Sequence, residues 1–169
     1  MILSKDEFLS SLRQEVRILL HLASKADASN LDFRPTAKQR SLLELLQYLT
    51  IMGPIHCRAI LADSFDMDSW RTAWSTGKAA ANLLDLEGAK ASIAHQPALF
   101  EELLSSCTDA DLRVELEMFG NKASRGSLLV GLVLKHYAAY RMQLFQYLKE
   151  SGHEELNTMN LWAGIDRKL

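Results

Sequence analysis

Apolar residues recur at intervals of three and four along most of the chain, and only eight glycines and three prolines interrupt them in 169 residues. A 3.6-residue period lays one apolar stripe along a helix, so the chain is expected to be mainly helical. The first helix is predicted from about Lys5 to Lys25, opened by a capping box of Ser4 and Glu7, with Phe8, Leu12, Val16, Leu19 and Ala23 on one face. His21 projects to the opposite, solvated side. The segment "ADASNLDFRPTAKQ" breaks the pattern at Asn30, Asp32 and Pro35. Ser41 and Glu44 form a second capping box, and helix 2 continues to about Asp63 with Leu42, Leu45, Leu46, Leu49 and Ile60 inward. Pro54 removes one backbone hydrogen bond inside it and predicts a kink.

Residues 64–87 read as a long crossing. In it Trp70 and Trp74 lie one helical turn apart, a pair that either covers the bundle or reads a ligand. Helix 3 is expected over Gly88 to Cys107, with Pro97 kinking it or starting a second segment, and His95 at the surface. Val114, Leu116 and Met118 alternate and suggest an extended connection. Helix 4 runs from about Ser124 to Ser151, Gly152 stops it, and a tail anchored by Trp162 folds back. A short first connection makes helices 1 and 2 antiparallel neighbours, and the long crossing lets helix 3 run parallel to helix 2. The fold class is therefore all-α, an up-down-down-up four-helix bundle forming a single domain over residues 1–169.

The totals exclude several function classes. With 48% hydrophobic and 24% charged residues and a formal net charge of −2, the chain has no basic footprint for nucleic acid. No segment approaches the roughly 20 apolar residues of a membrane span, so no membrane partner is expected. The start, "MILSKDEF", turns polar at once and does not read as a signal peptide. Cys57 and Cys107 have no metal-type spacing and read as reduced core residues of a cytoplasmic protein.

The functional signal lies in helix 4. At about 100° per residue, Leu129, Leu132, Val133, His136, Tyr140, Gln143 and Tyr147 fall within one arc. An imidazole, a phenol and an amide in a core stripe each need a partner. Two ligands four residues apart can share one metal ion, but a neutral phenol with a pKa near 10 is a poor ligand. Helix 2 adds Tyr48 and His56, and helix 1 adds Glu15 at about the level of Tyr48, so a carboxylate, phenols and imidazoles are expected to converge. The plainer reading makes His56 a hydrogen-bonded packing residue and Glu15 a partly exposed salt bridge. Val130, Leu134, Tyr137, Phe145 and Leu148 lie away from the stripe, and this second apolar face suggests a homodimer.

Two blocks carry a family resemblance. "FRPTAKQRSLLELLQYL" is similar to the Arg-Pro turn, serine-capped second helix and following His-Leu pair of the DinB-like (DinB/YfiT) superfamily of bacterial four-helix bundles. "LLVGLVLKHYAAYRMQLFQYLKESG" resembles that family's fourth helix, where His-x-x-x-His-Arg-Gly-Gln leads into a "YLR..G" ending, and "LWAGID" also fits. Many members bind nickel or zinc through three histidines, one on helix 2 and two on helix 4. Some are transferases or isomerases dependent on bacillithiol, mycothiol or glutathione, and many have no assigned activity. The resemblance places the three ligand positions at Tyr48, His136 and Tyr140, so one histidine remains. Arg141 and Gln143 match the trailing motif, and Met142 replaces its glycine. One imidazole and two phenols are a poor set for zinc or nickel. His56 or Glu15 is the candidate to rebuild a site with His136, but His56 lies about 12 Å along the helix from Tyr48.

Two functions follow. The first is a small-ligand-binding or regulatory bundle with a Tyr/His pocket in place of the metal site and no cofactor. The alternative is a thiol S-transferase or isomerase using zinc or nickel, with His136 as one ligand.

Overall fold

The computed structural model describes residues 3–166. Helix α1 spans Lys5–Ala23 and α2 spans Leu42–Leu61. Both open on the capping boxes read from the sequence. The Ser4 and Ser41 hydroxyls accept from the Glu7 and Glu44 backbone N–H at 3.2 Å, and each glutamate accepts from its serine's N–H at 2.7 Å. Helices α3 (Met67–Ala81) and α4 (Leu86–Leu103) start at Asp66 and Asp85, whose carboxylates accept from Ser69 and Gly88. A hairpin of β1 (Glu115–Met118) and β2 (Asn121–Ser124) follows, turning through Phe119 and Gly120 with φ of 53° and 76°. Two central residues with positive φ match the twist of the strands they join. The last long helix combines α5 (Arg125–Leu129), a π-helical turn (Val130–Leu134) and α6 (Lys135–Glu150), and a short α7 (Thr158–Trp162) ends the fold.

The bundle runs up-down-down-up, as expected. Gln47 reaches the Leu84 carbonyl and Gln96 reaches that of Thr50, so α4 is parallel to α2. Lys5 reaches the Leu104 carbonyl and Arg13 pairs with Glu101, so α1 is antiparallel to α4. The neighbours differ from the expectation, however. α1 packs on α4 and α6, and α2 packs on the same two helices, so α1 and α2 face each other across a diagonal. The crossing is also more ordered than expected. Residues 67–81 form a full helix laid on α2, where Gly77 lets the backbone approach Ile51 and Ile55.

Pro54 sits inside α2 without ending it. It has no N–H to give the carbonyl four residues back, which belongs to Thr50. A side chain from α4 fills the gap: the Gln96 amide donates to the Thr50 and Leu49 carbonyls, both at 2.9 Å. Its oxygen accepts from the Tyr137 hydroxyl at 2.5 Å. Gln96 is 2% exposed and Tyr137 is fully buried, so this polar chain is closed inside the core. Pro97 likewise lies within α4 and starts no separate segment.

The π-turn changes which face of the last helix is inward. A π-turn inserts an extra residue, which carries everything after it round by about 100° relative to a regular helix. Leu129 and Val133 are buried as predicted, but beyond the turn Tyr137, Arg141, Leu144 and Leu148 are inward. His136, Tyr140 and Gln143 lie half-buried at the side. Tyr137, Phe145 and Leu148, expected on an uncovered second face, are therefore core residues. That face, the reason for expecting a homodimer, is largely closed within the chain. The tail covers His21 as well, which is not solvated. Asn160 donates to its ring at 3.1 Å, and Asp166 lies at 3.5 Å. Both cysteines are free and buried, and among the described residues no helix is long and apolar enough to cross a membrane.

Candidate functional site

Because α2 and α6 run antiparallel, their polar side chains meet as two rungs. In one, the Tyr48 and Tyr140 rings are edge to face with centroids 5.0 Å apart. In the other, the His56 and His136 rings are 5.6 Å apart. His136 and Tyr140, one turn apart on α6, join the rungs at 6.1 Å. Helix α3 closes the outer side. Trp70 and Trp74 stack at 5.4 Å, Trp74 meets Tyr48 at 5.7 Å and His56 at 5.6 Å, and Trp70 meets His56 at 6.1 Å. The tryptophans thus cover the bundle, the first of the two sequence readings, and also wall the cluster. His56, set apart from Tyr48 by its place on α2, is adjacent to His136 across the helix pair.

The predicted convergence of Glu15 with these residues does not occur. Glu15 lies between α1 and α6, its carboxylate 3.3 Å from the Arg141 Nε, with the Trp162 ring 4.9 Å from the guanidinium carbon. The rotation after the π-turn is the cause, since it points Arg141 toward α1. Gln143 is also outside the cluster; its amide donates to the Tyr147 hydroxyl at 2.6 Å.

Burial governs the electrostatics. The His56 Nδ1 lies 2.9 Å from the Met52 carbonyl, which can only accept, so Nδ1 carries the proton and Nε2 the lone pair. Burial lowers the pKa of His56, aided by the neighbouring His136, and also lowers that of His136 itself. The His136 Nδ1 and Trp70 Nε1 are buried without a hydrogen-bond partner. Buried polar atoms without partners are few in native proteins and mark places where a water or ligand atom belongs. Burial also raises the pKa of the Tyr48 phenol, reinforced by hydrogen bonding with Tyr140.

A pH dependence follows. His56 and His136 have folded pKa values below the ordinary 6.5, so the unfolded chain takes up protons first on acidification. Their contribution is intact above pH 6.5 and is lost as pH falls from there through the lowered folded values. The urea midpoint is expected to drop between pH 7 and pH 5, and the double variant His56→Asn, His136→Asn should flatten that slope. An unchanged slope in the variant would place the titration elsewhere.

The donors present do not fit a three-imidazole metal site. Among the described residues no group of three or more His, Cys, Asp or Glu side chains is placed to hold a metal ion. Two imidazoles meet, and the other nearby donors are phenols, one of them held further from ionisation by burial.

A cavity of about 410 Å³ opens against Tyr48 and Trp74, between the first connection, α2 and α3. Arg40 lies on its wall with the guanidinium carbon 4.0 Å from the Tyr48 ring centre. Sequence reasoning passed over Arg40, which carries no motif and simply precedes the Ser41 cap.

No protein-family model matches the sequence, and no curated protein matches it. A solved structure does: a DinB-like protein (YjoA) from Bacillus subtilis superposes with a TM-score of 0.66 at 19% identity, over 89% of this chain and 94% of that one. The chain therefore has the fold of a DinB-like protein.

Proposed function

We propose, from that shared fold, that this chain is a DinB-like bundle whose metal-ligand positions, Tyr48, His136 and Tyr140, form a polar small-molecule site in place of a metal centre. The observation that carries this reading is the pairing of Tyr48 and Tyr140 at 5.0 Å beside His136. The three positions remain side by side while two of the three donors are phenols. A phenol binds a metal tightly only as phenolate, and burial of Tyr48 works against ionisation. The same groups suit recognition of a neutral or polar ligand. Trp70, Trp74 and the tyrosines supply flat apolar area, and the unpartnered His136 Nδ1 and Trp70 Nε1 supply directional contacts. The cavity lined by Tyr48 and Trp74 borders this cluster. The function is then binding or regulation.

Elemental analysis of protein purified without a histidine tag tests the reading. Well under one equivalent of zinc or nickel per chain is expected, and Tyr48→His with Tyr140→His should bring it close to one. Near-stoichiometric metal in the unaltered protein, lost in His136→Ala, would overturn the proposal in favour of a metal-dependent thiol transferase or isomerase. No gain in the double variant would show that these positions are not aligned as ligands.

A further inference from the structure

The cavity beside Tyr48 carries more charge than the chain as a whole. The protein has a formal net charge of −2, yet four cations, Arg34, Lys38, Arg40 and Lys78, line this one space against a single carboxylate, Glu44. Glu44 is already engaged, since it accepts from the Ser41 backbone N–H at 2.7 Å and lies 3.4 Å from Arg34. Among the described residues no carboxylate pairs with Lys38, Arg40 or Lys78. Arg40 is also held in place. Its guanidinium stacks over the Tyr48 ring, which leaves its N–H edge free to meet an anion. The other walls include the Trp74 and Tyr48 rings and Ile51, beside the uncharged polar side chains of Gln39 and Asn82.

We propose that this cavity binds a small molecule in which a planar ring carries a phosphate group. The ring lies against Trp74 and Tyr48, and the phosphate meets Arg40, Lys38 and Lys78. Two features favour a phosphate monoester over a carboxylate. Three cations lack a counter-charge, and a phosphate monoester brings nearly two negative charges and three acceptor oxygens where a carboxylate brings one charge and two oxygens. A volume of about 410 Å³ lies at the small end of ordinary ligand sites, which suits a single ring system with its phosphate. The proposal rests on the reading of Tyr48 as part of a ligand site, and it names the chemistry that site recognises.

Calorimetric titration of the full chain with phenyl phosphate, inorganic phosphate, benzoate and benzyl alcohol tests it. Phenyl phosphate is expected to bind most tightly and to quench tryptophan fluorescence through Trp74, with affinity falling as salt rises. Arg40→Ala with Lys78→Ala should weaken it about tenfold or more, since each removes a charged hydrogen-bond donor. Both side chains are exposed, and an unchanged circular dichroism spectrum would show that the fold is kept. Absence of phenyl phosphate binding, equal binding of benzoate, or indifference to the Arg40 and Lys78 changes would each overturn the proposal. Metal content reports separately on the wider reading, because it depends on His136 and not on Arg40 or Lys78.

Discussion

Replacing Gly53 by alanine is expected to cost about 3 kcal/mol, the upper end of ordinary overpacking penalties. A Cβ at this position would lie 2.8 Å from Tyr137 Cε2 and 2.9 Å from Phe100 Cζ, and still closer to the Tyr137 hydroxyl. Both rings are fully buried, so neither can swing into solvent. Moving Tyr137 breaks its bond to Gln96, and Gln96 is what satisfies the carbonyls left open at Pro54. One added methyl group thus disturbs the packing and the polar chain together. For a chain of this length the loss corresponds to a fall in Tm of about 6–12 °C. Tyr137→Phe should remove part of the overlap, so the two substitutions together should cost less than the sum of each alone. A loss below about 1 kcal/mol for Gly53→Ala would mean that the rings have room to adjust.

Arg141→Ala is expected to cost about 3 to 5 kcal/mol at pH 7, the range for removing one partner of a buried ion pair. The Arg141 side chain is 5% exposed and that of Glu15 is 17% exposed. Burial already raises the Glu15 pKa despite the opposing pull of Arg141, and neither the Glu15 Oε2 nor the Arg141 Nε has a hydrogen-bond partner. Without the guanidinium, the carboxylate keeps its desolvation cost and loses the positive charge beside it. A carboxyl group with a raised folded pKa binds protons more readily folded than unfolded, so it destabilises the fold above that pKa and ceases to do so below the ordinary value near 4.5. The penalty of Arg141→Ala should accordingly shrink on acidification. Glu15→Leu with Arg141→Leu should cost much less, because well-packed apolar side chains often replace such pairs at little loss. Chemical denaturation at two pH values checks both variants. Equal losses for the single and double variants would show that the pair is not energetically coupled.

Much of the architecture was legible because it depends on local chemistry. Ser4 with Glu7 and Ser41 with Glu44 announce helix starts through contacts spanning three residues, and those contacts form as read. The same holds for the apolar faces of α1 and α2. The candidate site was legible in part. Tyr48, His136 and Tyr140 were singled out and lie together. Glu15 forms the salt bridge of the plainer reading, with Arg141. It does not converge with the cluster because α1 lies diagonally across from α2 and the π-turn brings Arg141 to face it. Trp70 and Trp74 were visible as an i, i+4 pair, but only the docking of α3 on α2 puts them beside His56.

The division has a physical basis. Helix starts, the alternating segment of the hairpin and the apolar stripes are set by neighbours a few residues away, so the sequence alone determined them, together with the up-down-down-up path. Three features rest on contacts between distant residues. Gln96 satisfies a carbonyl on α2 from 46 residues away, Arg141 reaches Glu15 on α1, and Arg40 stacks on Tyr48 beside a helix that the sequence left as a crossing. The π-turn at Val130–Leu134 links the first two, because one extra residue turns Tyr137 toward Gln96 and Arg141 toward Glu15. A helix of uniform period would have placed His136 and Tyr140 at the centre of the core. The tertiary structure puts them at its edge, paired across α2 with His56 and Tyr48.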